Sequence, residues 1–333
     1  MSKFIKLSSR APRPNLLRQT PRRSGDWRNY QFSKVNEPVE EADYWVALEG
    51  VAQNETVRLT SGKAILFTLE PPEIKNYHPR FLAQFDAVYT SHRNIRHSNP
   101  VFFQQGHPWI VGEKSDGRVR STSASSDVWT YDQFLKLDFP EKPDCISAVT
   151  SNMIKVRGHI KRQEFLRKIK QAVPQLHFYG RGHTPVSDKL DAILPFRFHL
   201  VLENSSLPDY WTEKIADSYL GYAYPIYWGA SNIGSYFPKD SYLQIDIQQP
   251  EKTIAEIQAL IAEPLSDRRR AAMLEARELI LNKYNAFETI ASACDAIGTG
   301  ESEIRTIRPQ EDFWDFRMRQ VVDRTTRWIK ART

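Results

Sequence analysis

Short apolar runs alternate with amphipathic stretches along most of the chain. "DYWVALEG" (43–50) and "KAILFTLEPPE" (63–73) read as buried strands ending in acid-bearing loops, and "HPRFLAQFDAVYTSH" (78–92) as a helix feeding another strand. A charged stretch, "TYDQFLKLDFPEKPD" (130–144), then closes on Pro140 and Pro143. Beyond it the rhythm resumes with a strand "CISAVTSN" (145–152), a basic helix "HIKRQEFLRKIKQAV" (159–173) and a strand and turn "LHFYGRG" (176–182). Next come a strand "FRFHLVLE" (196–203), a helix "YWTEKIADSYL" (210–220) stopped by Gly221, and a strand "YPIYWGAS" (224–231). Helices are predicted over 253–263, over 267–285 with Ser266 as N-cap, and over 311–330 as a basic amphipathic segment. Alternation of this kind predicts parallel sheets.

Length adds the domain count. At 333 residues the chain exceeds the usual span of one hydrophobic core, so two α/β domains are expected, with the break just before Cys145. An apolar content of 41% suffices for a sizeable core. Cys145 and Cys294 are too far apart for a metal-binding spacing, and no signal peptide or eighteen-residue apolar run is present, so a soluble, cytoplasmic protein is expected.

The net charge of +6 is unevenly placed, because residues 1–28 hold eight Lys or Arg against the single acid Asp26 and leave the rest close to neutral. With Pro12, Pro14 and Pro21 interrupting it, segment 1–26 reads as a disordered basic tail. Attraction to an anionic membrane surface is the functional reading of these basic termini, which would put the protein at the inner membrane face. Nucleic acid is the weaker alternative, because no aromatic residues are interleaved with the charge.

In open α/β sheets ligands bind beyond the carboxyl ends of the strands, where helix N-termini offer free N–H groups to anions. Residues 203–214 occupy such a place. Lys214 suits a phosphate as a point charge, Tyr210 is expected on the same helical face, and Glu213 suits sugar hydroxyls. On spacing alone, a solvated first turn beside a half-buried tyrosine explains the same residues.

Residues 198–246, "FHLVLENSSLPDYWTEKIADSYLGYAYPIYWGASNIGSYFPKDSYLQID", resemble the signature region of the α-1,3/4-fucosyltransferases, glycosyltransferase family 10. The matching elements are strand, E-N-S, D-Y-x-T-E-K, helix, P-x-x-x-G and F-P-x-x-S-[FY]. Upstream, Ser151 and Asn152, "RQEFL" (162–166) and "YGRG" (179–182) are similar to the start of the family's donor domain, and "WVALEG", "ILFTLEPPE" and "FDAVYTSH" more loosely to a bacterial acceptor domain. The resemblance implies GT-B architecture: two Rossmann-like domains facing across a cleft, with an acceptor domain over 27–143, a GDP-sugar domain over 144–300 and a helical extension over 301–333.

It also implies roles. Arg162 and Lys214 would hold the diphosphate of GDP-fucose, with Asn204, Ser205 and Tyr210 beside them and Glu213 at the fucose. Arg157 is the alternative arginine. Glu70, in "LEPPE", takes the place of the family's glutamate base, whereas Glu73 reads as a surface acid. Inverting transfer to a glycan hydroxyl follows, with α-1,3 or α-1,4 linkage to galactose or N-acetylglucosamine, in a surface glycan such as lipopolysaccharide. No metal is expected: the chain contains no D-x-D triplet, and cationic side chains can neutralise a diphosphate. His177, His183 and His199 have no ligand spacing. Two rivals are the same fold with another sugar nucleotide and a binding protein that has lost catalysis.

Overall fold

The computed structural model describes residues 2–114, 127–150 and 157–313, with side chains from 162 onward in the last segment. Two sheets form its frame. The first contains β1 (Lys3–Ser9), β2 (Asp26–Trp27), β3 (Tyr30–Phe32), β4 (Glu41–Leu48), β5 (Glu55–Phe67), β6 (Ala87–Thr90) and β7 (Pro100–Phe102), ordered β2-β3-β1-β4-β5-β6-β7. Apart from the β2–β3 pair, the neighbours along that order run parallel. The second sheet holds β8 (Ile146–Val149), β9 (Leu176–Tyr179), β10 (Phe198–Leu202), β11 (Tyr224–Trp228) and β12 (Leu243–Gln244), ordered β12-β11-β10-β8-β9 and wholly parallel.

Four helices cover the second sheet or its flanks: α1 (Arg157–Ala172), α2 (Glu213–Leu220), α3 (Pro250–Ile261) and α4 (Asp267–Leu281). Ile215, Tyr219, Met273 and Ile280 join the strand residues Phe198, Leu200 and Ile226 in one core. A further helix, α5 (Ala286–Ile297), returns to the first domain and buries Phe287, Ile290 and Cys294 against Ile5, Leu7, Val46 and Phe67. Among the described residues no helix is long and apolar enough to cross a membrane.

Three expectations change. The basic tail expected over 1–26 is instead folded: β1 lies inside the first sheet between β3 and β4, with Ile5 and Leu7 fully buried. Its charges find partners remote in sequence, which local composition cannot reveal. Lys6 Nζ meets Glu55 at 2.8 Å, and Arg18 donates to the carbonyls of Trp129, at 2.7 Å, and Trp109, at 3.1 Å. A tail free to meet a membrane is therefore not what residues 3–26 form.

Second, the break before Cys145 is not clean. The charged stretch 130–144 contains a short helix, Tyr131–Lys136, whose Tyr131 and Phe134 join the second domain's core together with Trp109 and Val111. Asp217 explains the attachment: its buried Oδ1 accepts the backbone N–H groups of Ile110, at 2.8 Å, and Val111, at 3.1 Å. Third, the segment expected to be helical from 301 begins with a strand, Glu303–Ile307, antiparallel to β5. Most of the predicted 311–330 helix lies outside the described residues.

Candidate active site

Strand β10 ends in Leu202, and the chain then runs through 203–212 before α2 begins at Glu213. Asp209 turns this loop with a φ of +64°. Thr212 is the N-cap, its hydroxyl accepting from the Lys214 N–H at 3.3 Å. Tyr210 therefore precedes the helix instead of sharing a helical face with Lys214, and its buried ring meets His107 edge-on at 6.4 Å.

Glu203 ties strand to helix. Its fully buried carboxylate accepts the Thr212 N–H at 2.9 Å, the Thr212 hydroxyl at 2.7 Å and Lys214 Nζ at 3.2 Å. Burial raises the Glu203 carboxyl above its ordinary range, and Lys214 opposes that rise. Burial also disfavours the Lys214 ammonium, but Glu213 and Glu203 outweigh it and raise its pKa. Lys214 therefore stays charged while keeping a side chain 25% exposed at the cleft. Gly229 permits the arrangement: a Cβ there would lie 2.2 Å from the Tyr227 hydroxyl and 2.5 Å from Glu203 Cγ. The absent Cβ lets Tyr227 and Glu203 pack closely against this turn.

A cavity of about 420 Å³ opens beside these groups, between the carboxyl ends of β8 and β10 and helix α1. Arg162, Asn204 and Lys214 line it, over an apolar floor that includes Ala148, Leu200 and Leu202. Arg162 Nη1 donates to Asn204 Oδ1 at 3.1 Å, whereas its buried Nε has no hydrogen-bond partner among the described residues. Burial lowers the Arg162 pKa, partly offset by Glu203 and Tyr210. Arg157 opens α1, but its side chain lies outside the described residues, as do Ser151 and Asn152. Such a lining of paired cations above apolar surface suits a nucleoside diphosphate.

Two further cations line the cavity, Arg181 and Lys189. Lys189 Nζ bridges Glu213, at 3.4 Å, and Asp217, at 3.2 Å. Nothing in the sequence reading singled out Lys189 or Glu203. Arg181, inside the quoted "YGRG", carried a signal that was left unassigned.

Glu70 comes from the opposite side, in the loop after β5, and is partly buried. Its N–H donates to Glu49 Oε1 at 2.9 Å, and its carbonyl accepts from His92 Nε2 at 2.8 Å. Its carboxyl sits above the ordinary range, first through burial, then through the negative charge of Glu49, while Lys214 pulls it down and Glu213 pushes it up. Glu213 and Lys214 of the second domain are among the charges that Glu70 senses, and two contacts cross the cleft between the domains. Ser205, expected beside the donor, donates to Glu73 Oε2 at 2.8 Å across this cleft. A second crossing contact pairs Arg93 with Asp209.

Among the described residues no three His, Cys, Asp or Glu side chains group as a metal site. His199 is buried against the Ser147 hydroxyl at 2.7 Å and pushed down to about 3 by burial.

Residues 139–270 match the family model "Glycosyltransferase family 10 (fucosyltransferase) C-term". The chain is 26% identical over 207 residues to the 4-galactosyl-N-acetylglucosaminide 3-alpha-L-fucosyltransferase FUT6 of Pongo pygmaeus, a match covering 52% of this chain and 56% of that protein. To the 3-galactosyl-N-acetylglucosaminide 4-alpha-L-fucosyltransferase FUT3 of Pan troglodytes it is 33% identical over 198 residues, covering 57% and 46% respectively. The chain thus spans about half the length of these relatives. A solved α-glucosyltransferase in complex with UDP and a 13-mer DNA superposes with a TM-score of 0.50 at 11% identity, over 89% of this chain and 98% of that one. This last likeness concerns the fold, which is GT-B.

Proposed function

Through residues 139–270 the chain belongs to glycosyltransferase family 10, and from that premise we propose that it is an inverting fucosyltransferase acting on GDP-β-L-fucose. The acceptor is a galactose- or N-acetylglucosamine-type glycan, joined in α-1,3 or α-1,4 linkage. Relatives named for each linkage support leaving both open.

In this reading Glu70 takes the proton from the acceptor hydroxyl, whose oxygen attacks the anomeric carbon on the face opposite GDP. The C–O bond to fucose forms as the bond to the β-phosphate oxygen breaks. Charge growing on the departing diphosphate is met by Lys214 and Arg162, which are already fixed in place by Glu203 and Asn204 and need little reorganisation. Glu213, held between Lys189 and Lys214, is placed to accept from fucose hydroxyls. These cations make a divalent metal unnecessary in the proposed reaction.

The observation that carries the proposal is geometric: Arg162, Asn204 and Lys214 line one cavity, and the loop that holds Glu70 and Glu73 meets Ser205 across the cleft beside it. Its test is GDP release from GDP-fucose, GDP-mannose and UDP-galactose, with EDTA present and a panel of galactose- and N-acetylglucosamine-terminated acceptors. Acceptor-dependent release from GDP-fucose alone is expected. Release only from another donor would refute the proposal, and dependence on a divalent metal would refute its electrostatic part.

A further inference from the structure

The turn that ends β4 brings a second carboxylate to Glu70, and the reaction above does not use it. Glu49 has a φ of +67°, and Gly50 after it is also left-handed at +113°. For a residue with a side chain that conformation is strained, so surrounding contacts must hold it.

They do. Glu49 Oε1 accepts the backbone N–H of Leu69, the N–H of Glu70 at 2.9 Å and the Tyr77 hydroxyl at 2.7 Å. Glu49 Oε2 meets Lys75 Nζ at 2.5 Å, and Lys75 also donates to the Glu49 carbonyl at 3.1 Å. The Glu49 side chain is 12% exposed and that of Lys75 10%, which leaves water little part in the pair. A carboxylate with three N–H or O–H donors and a cation upon it is committed as an acceptor and is not itself a base toward substrate.

We infer that Glu49 is a positioning residue for Glu70: it clamps the Glu70 loop by two backbone N–H groups and sets a fixed negative charge beside the base. The inference rests on the reading of Glu70 as base.

That charge gives the clamp a chemical consequence. The charged groups that act on Glu70 are Glu49 and Glu213, which disfavour its ionisation, and Lys214 and Lys75, which favour it. His92 meets Glu70 at the backbone carbonyl, and burial lowers the imidazole pKa. Burial is the chief cause of the raised Glu70 carboxyl and Glu49 the next. Burial would also raise Glu49, but Lys75, Tyr77 and the Glu70 N–H outweigh it and hold Glu49 below its ordinary range. Of two neighbouring carboxyls, one is thus kept ionised and the other made more basic.

The sign of the effect follows. Glu70 must be ionised to accept a proton, so activity falls as pH drops through its pKa. Replacing Glu49 by a neutral amide removes a charge that raises this pKa and leaves Lys75 unopposed, and both changes move the acidic limb to lower pH.

The experiment is the pH profile of kcat/KM for fucose transfer in the wild type, Glu49→Gln and Glu49→Asp, with GDP affinity as the check on folding. For Glu49→Gln the acidic limb is expected at lower pH, with a plateau reduced about tenfold because a weaker base is a poorer one. For Glu49→Asp the limb should stay with the wild type, while the plateau falls because the shorter side chain does not reach both N–H groups. A limb in Glu49→Gln that is unmoved, or moved upward, overturns the inference. If Glu49→Gln does not bind GDP, Glu49→Asp decides, and a wild-type plateau there overturns it. Full turnover in Glu70→Gln overturns the assignment of Glu70 and this inference with it, whereas loss of turnover there with an unmoved limb in Glu49→Gln overturns this inference alone.

Discussion

The two sides of the cleft hold their charged groups in different ways. On the second-domain side Glu203, Thr212, Glu213 and Lys214 belong to one strand–loop–helix passage, and Glu203 reaches Thr212 and Lys214 directly. On the first-domain side Glu70 is held by Glu49 from the end of one strand, with Lys75 and Tyr77 behind it, and by His92 from beyond another. The first arrangement is local in sequence and closely packed, leaving no room for a Cβ at Gly229 beside Glu203. The second is assembled from scattered residues and sets a pKa. One side is built to hold charge still, the other to tune it.

Substitutions can break this contrast. The largest effect is expected for Glu70→Gln, which should lower kcat by about 10³-fold, within the range typical of a lost general base, as measured by acceptor-dependent GDP release. A loss below about tenfold would remove Glu70 from the chemistry. Lys214→Ala should cost about 10² in kcat/KM for GDP-fucose, because a fixed charge leaves the diphosphate and Glu203 stays buried without its cation.

Gly229→Ala should act on stability. Its Cβ would press on Tyr227 and Glu203, for a loss of about 1–3 kcal/mol in urea unfolding. The smallest effect is expected for Ser205→Ala, about 1 kcal/mol or less in GDP-fucose affinity, because this hydroxyl is engaged by Glu73 and is a neutral donor. A loss in Ser205→Ala equal to that in Lys214→Ala would put Ser205 among the main donor contacts.

The same contrast explains what could be read from the sequence. Strand 43–50, the helix near 210–220 and the Ser266 cap are set by local periodicity and capping, and the structure has them within a few residues, whereas the strand read over 63–73 spans Glu55–Phe67. Arg162, Asn204 and Lys214, which the resemblance grouped, line one cavity. Glu203 stood inside the quoted motif yet was overlooked, because a carboxylate at a strand end looks solvated until its burial is known. The fate of the basic first segment was invisible for a related reason. Arg18 is buried by carbonyls near residue 110 and at Trp129, and Arg28 pairs with Glu288 and Asp295, contacts that no local charge count contains. Glu49 likewise showed only as an acid ending a strand, its role depending on a left-handed turn and three donors from the loop beyond β5.

The division of labour across the cleft is tested most directly by titrating GDP calorimetrically into Glu70→Gln and Lys214→Ala. The account predicts wild-type affinity in Glu70→Gln and a loss of about tenfold or more in Lys214→Ala, as expected when a charged hydrogen-bond donor leaves a phosphate. Equal affinity in both, or equal loss in both, would contradict it.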